Sequence, residues 1–369
     1  IAALISMTRP DGLAYVFAVP VILLPARTVT WKRKGILLLL YAAAFGITYG
    51  SFIAFRLAYF GAPLPNTYYM KGGFDPQIAN NLPDSLPRLL TKAGTLLQSV
   101  GNGFGVILPP VLLIGSLYLL IARRWTARAW AILVFMLGSL SIYLLLQPDW
   151  MGEYRFATLF FPLFYLFSAL IIEAALRRLY PRLYTAAMIV LTTAAMVGTF
   201  ALYAPRTETF RQNPTVPFQY VRTVFADRFD WYKQTLGLER ASVLLPDVGA
   251  MLYYSDLTVY DLAGLTDQTV ARYLGTNIYR LGFYDYVFET VTPTFIHTHG
   301  FWTQLSRLDA DPRFAELYVP ICAYVDPWIK QNYGIERESG DFVLRSIAEA
   351  YPNELAVLQQ RLDANCNLE

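Results

Sequence analysis

Charge is scarce in this chain, and the residue types that most often bind metals are scarcer still. Only 15% of its 369 residues are charged, where a soluble protein carries about 25%. There are two His and two Cys, with no CxxC spacing and no Cys/His cluster, which argues against a structural zinc site. No segment repeats and none is of low complexity, which excludes a solenoid. Three loops lack acidic residues altogether: those holding Arg27, Lys32, Arg33 and Lys34; Arg123, Arg124 and Arg128; and Arg177, Arg178 and Arg182. Each lies between long apolar runs. Cytoplasmic loops collect Lys and Arg, so these three are expected to face inward. The external loops are then 61–101 and 148–155, together with the whole tail from about Ala204.

What charge there is divides unevenly. Residues 1–203 hold 16 basic and 6 acidic side chains, and residues 204–369 hold 14 and 21. That shift predicts a transmembrane helical domain over 1–203 and a soluble extracytoplasmic domain over 204–369. A net-acidic tail outside the membrane argues against nucleic acid as a partner. A spanning helix needs about 20 apolar residues. Gly35–Phe55, Phe104–Ala122, Ala129–Leu146, Phe156–Leu176 and Leu183–Tyr203 approach or meet that length, and Gly12–Leu24 is a shorter sixth segment. From Leu82 to Leu97, leucines recur at helical spacing with Asp84, Arg88 and Lys92 opposite. This predicts an amphipathic helix that either lies on the membrane surface or packs on the bundle. The chain opens on Ile1 within an apolar segment, so it is expected to be the C-terminal portion of a longer protein.

The tail alternates strand-like and helix-like runs. Strands are expected at Ala241–Leu245, Leu257–Tyr260, Thr294–His297, Leu317–Tyr324 and Asp341–Ser346, with a final helix over Ala348–Leu362. That order favours a small open α/β sheet. Cys322 and Cys366 could be bridged, which would pin the last helix to the body of the tail; sequence leaves the bridge open. Asp247 reads as a helix cap. His297 and His299 flank Thr298 at a strand end, a pattern that suits either a metal or hydrogen bonding; with no third His, hydrogen bonding is favoured.

Polar residues able to do chemistry collect in three external clusters, each where a helix meets the outer interface. These are Arg9-Pro10-Asp11-Gly12, the stretch from Pro65 to Gly73, and the stretch from Asp149 to Arg155. Arg and Lys at a membrane surface pair with the oxygens of a lipid-borne phosphate. Trp and Tyr faces stack on sugar rings, and Asp or Asn accept and donate to hydroxyls. The same aromatics serve equally as interface anchors.

At these clusters the chain resembles bacterial GT-C glycosyltransferases, and among them the actinobacterial terminal arabinofuranosyltransferases of the cell envelope. The motifs that carry the likeness are Arg9-Pro10-Asp11-Gly12, Leu64 through Lys71, Asp149-Trp150-Met151 through Tyr154-Arg155-Phe156, and Tyr253 through Asp267. They span the chain from Thr8 to about His299. The resemblance implies a polytopic α-helical membrane protein with about six transmembrane segments in this stretch and a C-terminal extracytoplasmic mixed α/β domain. It implies residence in the bacterial cytoplasmic membrane. The implied reaction moves a sugar from a polyprenyl-phosphate carrier to an external glycan, lipid or protein, with a divalent metal left open as a cofactor. By the same analogy Arg9, Lys71 and Arg155 face the donor phosphate, and Asp11, Asn66, Tyr69, Asp149 and Trp150 face sugar or acceptor. The catalytic carboxylate of such enzymes lies in an earlier external loop, expected upstream of Ile1, and neither Asp11 nor Asp149 takes its place. Two other readings compete: a transporter or flippase of lipid-linked sugar, and a non-catalytic envelope protein that binds glycan. Transporters place ionisable groups at mid-membrane, whereas these apolar runs are nearly free of charge.

Overall fold

A computed structural model describes residues 1–8, 10–24, 26, 28–70, 82–100, 114–115, 127–146, 154–275, 280–362 and 366. The chain divides into two compact units, Ile1–Leu64 with Gly73–Gln212, and Pro65–Gly72 with Asn213–Glu369. The change in composition at Ala204 falls inside a helix that runs on to Gln212.

The first unit is helical where it is described. It contains α1 (Ala2–Thr8), a 3-10 stretch over Pro10–Phe17 and α2 (Ala18–Leu23), followed by α3 (Trp31–Phe60). After α4 (Asn66–Met70), which belongs to the second unit, come α5 (Leu82–Val100), α6 (Ala127–Leu145), α7 (Phe160–Leu179) and α8 (Tyr184–Gln212). Among the described residues three helices are long and apolar enough to cross a membrane: Trp31–Phe60, Phe160–Arg178 and Tyr184–Gln212. Ala129–Leu145 is apolar but shorter. Of the expected span Phe104–Ala122, all but residues 114–115 lies outside the described residues. The expected segment Gly12–Leu24 is not one regular helix, because 3-10 winding gives way to α2 at Ala18. Gly12 has a packing reason there: a Cβ on it would stand 2.4 Å from the Ile5 carbonyl oxygen of α1.

The Thr30 hydroxyl caps α3 by accepting from the Arg33 N–H, and Gly61 closes the helix in the left-handed region (φ +65°). Leu39, Leu40 and Ile47 of α3, like Ile189, Val190 and Phe200 of α8, remain exposed. A long helix that is apolar around its circumference and unburied by protein is solvated by lipid. This unit is that of a membrane protein.

Helix α5 departs from the expected division of its faces. Lys92 does not project away from the bundle: its Nζ donates to the carbonyls of Tyr143, Leu144 and Leu146 at 3.0, 3.0 and 2.7 Å. Those carbonyls lie at the end of α6, where the last turn of a helix has no intrahelical donors and carries negative partial charge. One turn on, Leu96 is fully buried with Met136, Phe160, Phe164 and Phe167. Leu86, Leu90 and Leu97 are left exposed on another face.

The second unit is built on a five-stranded mixed sheet of order β2-β1-β3-β5-β4. Its strands are β1 (Ser242–Leu245), β2 (Thr258–Asp261), β3 (Phe295–Thr298), β4 (Tyr318–Val325) and β5 (Glu338–Leu344). β1 runs parallel to both β2 and β3, and β5 is antiparallel to β3 and β4. The period-2 alternation of the strands sends Val243, Leu245, Phe295 and Val343 into one core cluster and Leu244, Ile296 and Phe342 into another. The first cluster is completed by Phe229, Tyr232 and Leu236 at α9 (Arg228–Thr235), Met251 of α10 (Val248–Tyr254) and Leu358 near the C-terminus. The second takes Val270 and Leu274 of α11 (Gln268–Gly275) with Phe283, Val287 and Phe288. Pro320 sits on edge strand β4 where the register slips before Cys322, a position that tolerates a missing donor. Cys322 and Cys366 are joined by a disulfide. The expected last helix is two, Arg345–Ala350 and Pro352–Gln360, divided at Tyr351 before Pro352.

Candidate functional site

Of the residues expected to bind donor or acceptor, Arg9, Lys71, Asp149 and Trp150 lie outside the described residues. Asp11 falls in the 3-10 stretch and Arg155 in the single turn Arg155–Ala157, with their side chains outside the description. Tyr154, just before that turn, holds φ +49°, a left-handed conformation that costs a non-Gly residue about 1–2 kcal/mol.

Asn66 and Tyr69 are placed, and their surroundings are informative. Both are half-buried on α4, which packs against α11 of the α/β unit. Met70, next along the helix, lies against the second core cluster. A Cβ on Gly264 would come within 2.8 Å of Met70 Cγ and 2.9 Å of Ala271, and Gly264 itself holds φ +63°. Only glycine meets both demands cheaply. The loop around Gly264 is built by its own carboxylates. Asp261 is buried and accepts from the backbone N–H groups of Ala263 (2.9 Å) and Thr266 (2.7 Å) and from the Thr266 hydroxyl (3.1 Å). Asp267 caps α11 by accepting from the N–H groups of Thr269 and Val270, and its other oxygen accepts from the Tyr286 hydroxyl at 2.7 Å. The Asp261–Asp267 motif is therefore a folding device that makes a seat for α4.

A second constellation lies at the other strands' ends. After β1 the chain returns through α10, on the face of the first cluster, to β2; after β2 it passes through α11, on the opposite face, to β3 on the far side of β1. The connections part between β1 and β3, and in open α/β sheets ligands bind at such a switch point, outside the carboxyl ends of the strands. Asp247 follows β1 and His299 follows β3. Asp247 makes no side-chain cap on α10, contrary to the expectation from sequence. Its Oδ2 instead accepts from His299 Nε2 at 2.7 Å, and both side chains are more than a third exposed.

Behind this pair is a fully buried one. His297 Nδ1 donates to Asp341 Oδ1 at 2.6 Å, the two residues being register partners on β3 and β5. The other Asp341 oxygen accepts from the Tyr232 hydroxyl at 2.7 Å and Arg228 Nη1 at 3.3 Å. Burial by itself would raise the Asp341 pKa, but His297, Arg228 and Tyr232 outweigh it and hold the carboxyl below its usual range. Burial, reinforced by Asp341, pushes the Tyr232 hydroxyl well above its ordinary value. Phe225 stands edge-on to His297 and lies 6.4 Å from His299, and the two imidazole centroids are 5.3 Å apart. Phe225 belongs to a π-helical turn, Arg222–Asp227, a distortion that recurs at functional sites. His297 Nε2 is buried without a hydrogen-bond partner among the described residues. Both histidines are thus hydrogen-bonded to carboxylates, each through one ring nitrogen. Among the described residues no group of three or more His, Cys, Asp or Glu is arranged to hold a metal ion.

Sequence reasoning singled out the two histidines and missed Arg228, Tyr232 and Asp341. The available signal was a carboxylate inside an otherwise apolar strand, Gly340-Asp341-Phe342-Val343-Leu344, where only a buried partner makes an ionised group tolerable.

A family model described as a domain of unknown function, DUF8728, matches residues 218–350. That stretch contains both carboxylate–histidine pairs. No curated protein and no solved structure matches the chain.

Proposed function

We propose that this chain belongs to a glycosyltransferase that moves a sugar from a polyprenyl-phosphate carrier to an extracytoplasmic glycan, lipid or protein. In this reading the first unit is part of a GT-C-like bundle in the bacterial cytoplasmic membrane. About six apolar segments cross the bilayer, and the α/β unit stands on the outer side. The basic loops at Arg27–Lys34, Arg123–Arg128 and Arg177–Arg182 set that orientation. Arg9, Lys71 and Arg155 pair with the donor phosphate, while Asp11, Asn66, Tyr69, Asp149 and Trp150 address sugar and acceptor hydroxyls. No residue of this chain is assigned the role of base.

The observation that carries the reading is the seat of α4 on the α/β unit. The Asn66–Met70 segment comes from a loop between apolar helices, yet Met70 packs over Gly264. Two of the motifs that resemble GT-C enzymes, far apart in sequence, thus form one structural piece. A donor loop needs such a rigid support, since a displacement of about 1 Å at a reacting centre can cost about a hundredfold in rate. The transporter reading gains less support: Glu173 sits near the end of α7 and pairs with Arg177 at 2.7 Å, and Arg56 lies near the end of α3.

The test uses the full-length protein in proteoliposomes with labelled polyprenyl-phosphate sugar and an acceptor glycan. Labelled product is expected, and Arg155→Ala should lower transfer at least tenfold with weaker donor binding. Label that crosses the bilayer without entering a glycosidic bond would replace the transferase by a transporter.

A further inference from the structure

The Asp247–His299 pair has no part in the donor site proposed above. Its side chains are more than a third exposed at the switch point of the sheet, where open α/β folds bind their ligands. It is also not explained as a stabilising device. An exposed hydrogen bond of this kind contributes at most about 1 kcal/mol, and Asp247 forgoes a helix cap, worth about 1 kcal/mol, to reach His299.

The chemistry of the pair is specific. His299 Nε2 donates to the carboxylate, which fixes the tautomer and leaves Nδ1 with its lone pair. Behind it, Asp341 holds His297 in the same manner through Nδ1, leaving Nε2 as the unpartnered nitrogen. The remaining functions of the site are hydrogen-bond acceptors: an imidazole lone pair and the free oxygen of Asp247. A ligand must therefore bring donors, and on the transferase reading these are the hydroxyls of a sugar. Phe225 is buried against both imidazoles, and the exposed Phe218 meets Tyr254 edge to face, with the Arg222 guanidinium over the Tyr254 ring. Acceptors beside aromatic rings fit a sugar, whose hydroxyls donate while its C–H face covers a ring. An anionic ligand such as a phosphate is repelled by Asp247.

We infer that the crevice between the carboxyl ends of β1 and β3 is a binding site for a neutral sugar, in which Asp247 and His299 accept its hydroxyl protons. His297 and Asp341 are positioning residues that hold the wall behind His299. On the transferase reading, on which the ligand class rests, the bound sugar is part of the acceptor glycan.

The two histidines make the site directly observable. In the full-length protein, labelled with [13C-ε1]histidine and held in nanodiscs, the signals of these two are identified by their loss in His297→Gln and His299→Gln. Neutral tetrasaccharides of pentofuranose and of hexopyranose serve as probes, titrated without any donor. The signal lost in His299→Gln is expected to move and saturate with at least one probe. Asp247→Asn should weaken that binding about tenfold, the loss of one hydrogen bond to a charged group, while thermal unfolding stays unchanged. No shift with any probe, or a shift unaltered by Asp247→Asn, overturns the site. Zinc ions that move both signals while every sugar moves neither would make it a metal site instead. Transfer from lipid-linked sugar, measured on the same preparation, separates the two proposals. Transfer without a sugar-induced shift removes this site and keeps the transferase; a shift without transfer does the reverse.

Discussion

Asp341 is a buried charge on which three side-chain donors of the tail converge, His297, Tyr232 and Arg228 meeting its two oxygens. Buried ion pairs often contribute little net stability, yet removing one partner leaves the other charge without compensation. Asp341→Ala is therefore expected to destabilise the α/β unit by about 3–5 kcal/mol, read as a fall in its denaturation midpoint. The pH dependence has a definite sign. A carboxylate whose folded pKa lies below its unfolded one contributes stability that is complete above the unfolded value and disappears as pH falls through the folded value. Asp341, Asp326 and Asp311 all behave this way. The unit should hold its neutral-pH stability down to the ordinary carboxylate range near pH 4 and lose it below. Tryptophan fluorescence followed from pH 7 to 2 checks this, and unfolding already under way at pH 5 would contradict it. Little of the network was legible in sequence. An Asp in a strand reads as an exposed end until the partner that makes its burial affordable, here Arg228 over a hundred positions away, is brought beside it.

At the scale of elements, α5 shows why periodicity finds a helix more reliably than it finds that helix's orientation. The leucine spacing identified α5, and a leucine stripe normally turns toward protein. Here Lys92 decides the rotation, because three carbonyls at the end of α6 offer its ammonium better partners than solvent does. Leu86, Leu90 and Leu97 are consequently turned outward. In water such a stripe costs about 25 cal/mol per Å² exposed; against lipid it costs nothing, so α5 is expected at the membrane interface. A tryptophan introduced as Leu90→Trp should be quenched by lipids brominated along their upper acyl chains. Unquenched, water-like emission would place that face against solvent or protein instead. The strands were easier to read. Their alternation at Val243, Leu244 and Leu245 follows from geometry local to each strand, and the observed boundaries differ from expectation by few residues. The segment Gly12–Leu24 was harder, since 3-10 winding there reflects the close approach of α1 at Gly12, a contact with no local trace beyond the glycine itself.

For the whole molecule, two kinds of solvent act on one chain. Helices α3 and α8 are apolar around their circumference and unburied, while the sheet of the second unit is covered on both faces by helices and closed near its end by Cys322–Cys366. That bridge closes a loop of 44 residues and so removes entropy from the unfolded chain, worth about 4 kcal/mol in the chain-entropy picture. Reduction with dithiothreitol should lower the unfolding temperature of the α/β unit and leave the apolar helices unaffected, as seen by circular dichroism at two wavelengths. An unchanged transition would mean that the bridge constrains nothing in the unfolded state.

Sequence alone determined that the chain carries apolar helices of membrane-spanning length and that its tail alternates strand and helix. Each of these depends on local quantities: hydropathy over one helix length and a period of 2 or 3.6. Tertiary structure decided the rest. It seated Met70 on Gly264, turned Asp247 from capping its helix to hydrogen-bonding His299, and buried Asp341 among three donors. Those outcomes are set by the free energy of contacts between residues remote in sequence, where a buried charge must find its partner or pay its full desolvation.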